Sequence, residues 1–482
     1  MPSISTFTRP ALVSVSLLAL AACAPNLGAA PRLTAPGALA STRTFDATGG
    51  GVTTAEWPSD TWWVAYGDPQ LTKLIEEALT SSPDLQGAAA RVRIANAQAE
   101  VAGAPLFPAL APSFSSGQTK QSLSQYPDNF RQFLPKGYHS NTRLALDLTY
   151  QLDFFGKNRA ALAAATSNAR AAEADYASAR LTLSTGVAEA YADLLRYYAD
   201  RDAAAEAVKV RSATLDLVSQ RLKNGLETRG EFSQERATAA AAQADVDKAD
   251  LAIAQTRHRL AALLGAGPDR GIDISRPASP VVRAPALPTN LAVDLIGRRP
   301  DILAARLRAD AAAARTRAAK ADFYPNIDLV GYVGQQSLDI GSIFQKASQI
   351  GQINAALRLP NYLVGGAQLR GTYRGARAEY DQAVFSYNQT LANALREVAD
   401  ALAGRRSLDV QLKDAREALA ASEDAYAVAR ERYQGGLSPY LNVLTAENQV
   451  LTQRRNVADL DAQALALDVT LVRALGGGFR AG

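Results

Sequence analysis

Two stretches of this chain, Lys136 to Gly267 and Asn361 to Ser438, contain no proline. Each also carries a sustained seven-residue apolar rhythm. In the first, Tyr176, Leu183, Val187, Tyr191, Leu194 and Tyr198 fall three, four or seven apart, and Ala205, Val208, Leu215, Val218 and Leu222 continue the series. In the second, Tyr380, Val384, Tyr387, Leu391, Leu395, Val398 and Leu402 do the same, followed by Leu412, Leu419, Tyr426 and Tyr433. Leu444, Leu451, Ala458, Leu465 and Val472 carry the seven-step into a return helix. Sustained heptads mean helices that pack as coiled coils. A helix from Lys157 to Lys223 would run roughly 100 Å at about 1.5 Å per residue. No compact globular domain needs that length. Abundant alanine lets such helices approach closely.

The chain is also written twice. "SSPDLQGAAARVRIANAQAEVAGAPLFP" ends at Pro108, and "RRPDILAARLRADAAAARTRAAKADFYP" ends at Pro325. Pro83-Asp84 matches Pro300-Asp301 at the same offset as Pro108 and Pro325. "RLKNGL" (Arg221 to Leu226) matches "RYQGGL" (Arg432 to Leu437), and "ALLG" matches "RALG". Matched Pro and Gly landmarks mark an internal repeat. Each half reads helix, strand, loop, strand, very long helix, tight turn, long helix. The expected organisation is a signal peptide over 1–22, an N-terminal tether over 23–60 and a first repeat over 61–274. A Pro-rich linker over 275–291, a second repeat over 292–476 and a tail over 477–482 follow.

The strands set the class. "RLALDLTYQLDF" alternates with period two. Leu144, Leu146, Leu148, Tyr150, Leu152 and Phe154 face one way, and Arg143, Asp147, Thr149, Gln151 and Asp153 the other. That length suits a transmembrane strand of about 9–11 residues, apolar toward lipid and polar toward a lumen. "GQINAALRLP" repeats the pattern more weakly. "FPALAPSFSSG" and "YPNIDLVGYVG" are the expected partner strands, with Pro112 an obstacle in the former. Four strands cannot close a barrel, and lipid tolerates no open edge. The strands must therefore pair with other copies of the chain. No stretch after the N-terminus has the run of about 18 apolar residues of a membrane helix.

The N-terminus reads as an export signal. Arg9 precedes an apolar run from Ala11 to Ala22, the length of a signal-peptide core. Ala19-Leu20-Ala21 would serve ordinary cleavage. Leu20-Ala21-Ala22-Cys23 also fits a lipobox, in which the cysteine takes a diacylglycerol and becomes the mature N-terminus. Cys23 is the only cysteine in 482 residues. An exported chain using disulfides would carry more, so an attachment point explains it best. As in sorted lipoproteins, a residue other than Asp at Ala24 favours the outer membrane.

Composition removes other classes. The 51 Lys and Arg nearly balance 47 Asp and Glu, so no nucleic-acid partner is expected. His139 and His258 are far apart, expected solvated, and hold no metal. Neither a Gly-rich phosphate loop nor a G-x-S-x-G elbow occurs. Carboxylates alternate with arginine on helical stretches, the pattern of solvated faces. The chain is not expected to be an enzyme, and its only prosthetic group would be lipid on Cys23.

With these residues in place, the mature chain resembles outer-membrane factors of the TolC type, specifically the NodT-like efflux lipoproteins. The resemblance runs from "WPSDTWWVAYGDPQLTKLIEEAL" (Trp57 to Leu79) to "VRALGGG" (Val472 to Gly478). It is carried by Trp62-Trp63, Tyr66-Gly67-Asp68, Leu74-Ile75, the paired landmarks and the two Gly-Leu turns. It implies a mixed, mainly α fold with β. Each chain would give four β-strands and long coiled-coil helices to a trimeric twelve-stranded outer-membrane β-barrel, continuous with a periplasmic α-helical barrel. It implies a periplasmic adaptor, an inner-membrane pump, outer-membrane lipid and passive export of small molecules such as drugs. Alternatives are a protein-secretion duct and a lipid-tethered periplasmic scaffold.

The turns "NGLETRG" and "GGLSPY" end the long helices with glycine, as reversals require. By the resemblance, Gly225, Leu226, Gly436 and Leu437 dock the adaptor at the periplasmic mouth. Relatives carry carboxylates just past the second turn, where this chain has Asn442 and Thr445. Glu231 would supply a substitute acidic ring, and Leu441 an apolar constriction.

Overall fold

The computed structural model describes residues 25–41, 43–45, 53–54, 57–120, 122, 124, 127–129, 131–134, 136–278, 286–287, 295, 297–360 and 365–481. The expected signal peptide, Cys23 and most of the 275–291 linker lie outside the described residues. Helices α1 (Pro69–Ser81) and α2 (Pro83–Gly103) lead to strands β1 (Ala109–Lys120) and β2 (Tyr138–Leu152). Helices α3 (Lys157–Lys223) and α4 (Arg229–Leu263) complete the first half. The second half repeats the order with α5 (Pro300–Ala321), β3 (Asn326–Ser337), β4 (Gln349–Arg358), α6 (Gly366–Gln434) and α7 (Leu441–Ala474). The expected mainly helical, four-stranded fold is present. No described helix is long and apolar enough to cross a membrane.

The chain forms two compact units, and they cut across the sequence repeat. One takes the chain up to Leu33, Val92–Ala172 and Ala305–Tyr387. The other takes Thr34–Arg91, Glu173–Ala304 and Asn388–Gly482. Both repeats contribute to each.

The first unit holds an antiparallel sheet in the order β1-β2-β3-β4. Its register places Leu110 opposite Leu148, Phe114 opposite Leu144, Leu146 opposite Val333, and Ile327 opposite both Leu152 and Leu357. One face is therefore apolar across all four strands. The facing sequence is the expected alternation, and the polar residues Arg143, Asp147, Asp328 and Tyr332 fall on the other side. β2 begins at Tyr138, earlier than the alternation at Arg143, because Gly117–Lys120 of β1 continue to pair with it. Pro112 lies within β1, which is an edge strand, and edges tolerate proline. His139 is half-buried within β2 rather than solvated, with its Nδ1 shielded and unpartnered.

The helices of this unit pack through small residues. Ala164, Ala171, Ala311 and Ala314 are buried. Ser167 Oγ donates to the Leu307 carbonyl at 2.7 Å, and Thr316 Oγ1 to the Ala376 carbonyl at 3.0 Å. Such close backbone approach is what alanine at the contact permits.

The second unit is built around α1. Asp68 caps it, accepting from the Gln70 and Leu71 amides at 2.8 and 3.1 Å, and Pro69 occupies the first helical position. Asp68 also accepts from the buried Tyr191 hydroxyl at 2.7 Å. Leu71, Leu74, Ile75 and Ala78 then fall on one face and are buried against Val187, Leu194, Leu260 and Val469. Fully burying a Leu or Ile side chain stabilises by about 1.5–3 kcal/mol. Trp62, Trp63 and Tyr66 close this core with edge-to-face contacts.

Candidate functional site

Two places in the molecule combine exposure with organised chemistry. The first is the sheet. On its apolar face Leu110, Phe114, Val333, Ile353 and Leu357 are 62–68% exposed. Outward residues of β2 run from Leu144 to Leu152, eight residue steps or roughly 26 Å of strand. Tilted by about 40°, that length spans roughly 20 Å, most of the ~25 Å apolar band of an outer-membrane barrel. The band ends at aromatic residues. Phe154 is exposed, and Phe155 stacks on Tyr324 at 4.6 Å. Large uncovered apolar surfaces are not left to water. Among the described residues, no strand lies beside the outer edges of β1 and β4.

The second place is the pair of turns in the second unit. After α3, Gly225 takes φ 70°. Its amide donates to the Leu222 carbonyl at 3.1 Å, and the Leu226 amide to the Arg221 carbonyl at 2.9 Å. After α6, Gly436 takes φ 72°, and the Gly436 and Leu437 amides donate to Tyr433 and Arg432 at 3.0 and 2.8 Å. Both are Schellman closures, which need a left-handed residue and so favour glycine. Each closure leaves the next leucine outside. Leu226 is 64% exposed and Leu437 74%.

The chains beyond the turns differ. Thr228 caps α4: its Oγ1 accepts from the Glu231 amide at 3.2 Å, while Glu231 Oε2 accepts from the Thr228 amide at 2.8 Å. The Glu231 carboxylate, expected to supply a substitute acidic ring, takes part in this capping box. The Thr228 amide holds its carboxyl below the usual range, whereas burial and contact with Glu231 push Glu227 up. Arg221 Nε donates to Glu227 at 2.8 Å and its guanidinium lies over the Tyr433 ring. Past the second turn, α7 starts without a side-chain cap. Leu441 is 68% exposed; Asn442 and Thr445 are exposed, and Thr445 Oγ1 donates back to the Leu441 carbonyl.

Further along these helices lies a group that the sequence reading missed. Arg211 of α3, Glu235 of α4 and Glu447 of α7 are each at most 4% exposed. Arg211 Nε stands 3.1 Å from Glu447 Oε1, and its Nη2 donates to Asn448 Oδ1 at 2.6 Å. Burial raises both carboxyls above the ordinary glutamate range, against the pull of Arg211. Charged residues here were expected on solvated faces. Instead Arg211 sits three after Val208 and four before Leu215, Glu447 three after Leu444 and four before Leu451. Glu235 has the same spacing between Phe232 and Ala239. All three occupy heptad core positions, and that spacing is the signal that would have found them.

A family model described as outer membrane efflux protein matches residues 74–266 and 291–477. The chain is 30% identical over 431 residues to the multidrug resistance outer membrane protein MdtP of Escherichia coli strain K12, covering 88% of each. It is similar in structure to the outer membrane protein VceC of Vibrio cholerae, with a TM-score of 0.82 and 40% identity, over 88% of this chain and 100% of that one. The outer-membrane channel OprN matches with a TM-score of 0.84 and 27% identity, over 94% of this chain and 99% of that one.

Proposed function

Because the chain belongs to the outer membrane efflux protein family, we propose that it is the exit duct of a tripartite efflux system in the bacterial outer membrane. The duct passes small molecules handed to it by a periplasmic adaptor and an inner-membrane pump. It performs no chemistry; the pump supplies the energy. The observation that carries this is the sheet, apolar on one face, polar on the other and open at both edges. Three chains supply twelve strands, within the range of outer-membrane barrels, and give each open edge a partner. The polar face then lines the lumen.

The turns are the proposed docking points. A leucine exposed at the same place in both repeats offers the adaptor a small apolar contact. Leu226→Glu and Leu437→Glu leave assembly and barrel stability near wild type but reduce adaptor binding and export. A charge at an exposed turn costs the fold little, yet at the contact it is desolvated unpaired, a loss on the order of several kcal/mol. Normal export by both variants at normal abundance would falsify the docking role. Glu231, Leu441, Asn442 and Thr445 follow the turns and are proposed to line the mouth. With Glu231 engaged in its cap and Asn442 and Thr445 neutral, closure there depends on Leu441 more than on an acidic ring.

Cys23 is the proposed lipid anchor. Support comes from the chain that leads away from it. Arg377 Nη2 donates to the Ala29 carbonyl at 2.7 Å, and Tyr380 Oη to the Pro31 carbonyl at 3.4 Å. Going back toward Cys23, the segment thus runs along α6 toward its start, where β4 ends. Cys23→Ala abolishes metabolic labelling with a fatty acid; a labelled variant would refute the lipobox.

A further inference from the structure

Within the strands, the polar face has a charge arrangement that conduction alone does not require. Its Lys, Arg, Asp and Glu residues are two cations and two anions, and all four are paired. Arg143 Nη2 donates to Asp147 Oδ1 at 2.6 Å, and Nη1 to Asp147 Oδ2 at 3.4 Å. Asp328 of β3 pairs with Arg358 of β4 at 2.9 Å. Between the pairs the face is neutral, with Ala145, Thr149, Val330, Gln352 and Asn354.

The first pair is held from three strands. Arg143 Nη1 donates to Ser113 Oγ of β1 at 2.9 Å, and the guanidinium carbon lies 4.8 Å from the centre of the Tyr332 ring of β3. Tyr332 in turn donates to Gln352 of β4 at 2.9 Å. An arginine held this way cannot swing to follow a passing ion. Its charge and that of Asp147 cancel at the distance of a lumen axis, whereas rings of one sign select ions.

We propose that the Arg143–Asp147 pair sets the charge preference of the strand lumen, and that its neutrality admits cargo of either sign. The inference rests on the duct reading. In an assembly of three chains, removing one partner turns three compensated pairs into a ring of three free charges. Asp147→Asn frees arginines and favours anions; Arg143→Gln frees aspartates and favours cations. The double variant has neither charge and returns to neutrality, although the ion pair is gone.

The test is the chloride-to-potassium permeability ratio of the purified full-length protein in planar lipid bilayers under a KCl gradient. Three unpaired charges at lumen distance shift this ratio by about threefold or more at moderate salt. Asp147→Asn raises it, Arg143→Gln lowers it, and the double variant restores it. A purely structural bridge predicts otherwise, since the double variant would then deviate as much as the singles. If Arg143→Gln does not insert, Asp147→Asn decides alone, because Arg143 keeps Ser113 and Tyr332. Current with an unmoved ratio overturns this proposal and leaves the duct reading standing. A wild-type chain that stays monomeric in detergent overturns the duct reading, and the proposal with it.

Discussion

The two turns are copies in backbone and strangers in polar chemistry. Both reverse through a left-handed glycine with the same pair of hydrogen bonds, and both leave a leucine exposed. The first is then locked by Thr228 and Glu231, with Arg221 and Glu227 beside it. The second has no cap; Tyr433 and Tyr440 meet edge to face there, 5.1 Å apart. A duplicated segment keeps what both copies need and drifts elsewhere. The shared reversal and leucine therefore belong to one task, and the unequal polar groups to how each turn holds its own helix.

The largest expected effect strikes both turns together. Arg211 is the cation of a buried group that draws on both helical hairpins. Arg211→Met leaves Glu235 and Glu447 buried without it, and removing one partner of a buried pair costs about 3–5 kcal/mol. Thermal melting followed by helical circular dichroism checks this, and a change below the scatter between preparations would show the cluster to be idle. The pH dependence has a definite sign. Both carboxyls bind a proton more readily folded than unfolded. Their contribution to stability is complete below the ordinary value of 4.5 and is lost as pH rises through the raised folded values. Acid therefore rescues part of the Arg211→Met loss, and Glu447→Gln flattens the pH profile of the wild type.

Next in size are the glycines. A Cβ at Gly225 or Gly436 meets nothing within 4 Å, so the cost of alanine is backbone strain alone. The left-handed conformation costs an L-residue roughly 1–2 kcal/mol. Gly225→Ala and Gly436→Ala should lower the melting temperature equally. Unequal losses would break the equivalence of the two reversals.

The parts of the fold that were legible in the sequence are those with a period. Heptads gave the long helices, and alternation in Leu144–Leu152 gave β2 and its two faces. β1 and the start of β2 were less visible, because Pro112 and "YHSNT" break the pattern while pairing carries the strands on. Arg211, Glu235 and Glu447 were hidden for a different reason. Charged residues are common on these helices, and only stepping along the stripe shows which ones fall inside it. Glu231 lies in a Thr-x-x-Glu pattern that announces a capping box, and that pattern competes with its reading as a gate residue. The exposed leucines were legible because both repeats have them at one place.

The smallest effect separates the turns most cleanly. Thr228→Ala removes the acceptor for the Glu231 amide, and loss of such a cap costs about 1 kcal/mol. Glu231 also loses a donor, so its carboxyl rises toward the ordinary range. The first turn of α4 frays, and amides of residues 229–233 exchange faster with solvent. Ser438 is the one serine or threonine of the turn "GGLSPY", but its Oγ is buried without a partner and caps nothing. Ser438→Ala therefore leaves exchange in the first turn of α7 unchanged, since deleting an unsatisfied group removes no bond. Adaptor binding should survive both substitutions, because each leaves its leucine and its glycine closure in place. If Thr228→Ala abolished binding while α4 kept its exchange protection, the polar groups of the first turn would themselves be contacts. The division between a shared docking surface and private helix ends would then fail.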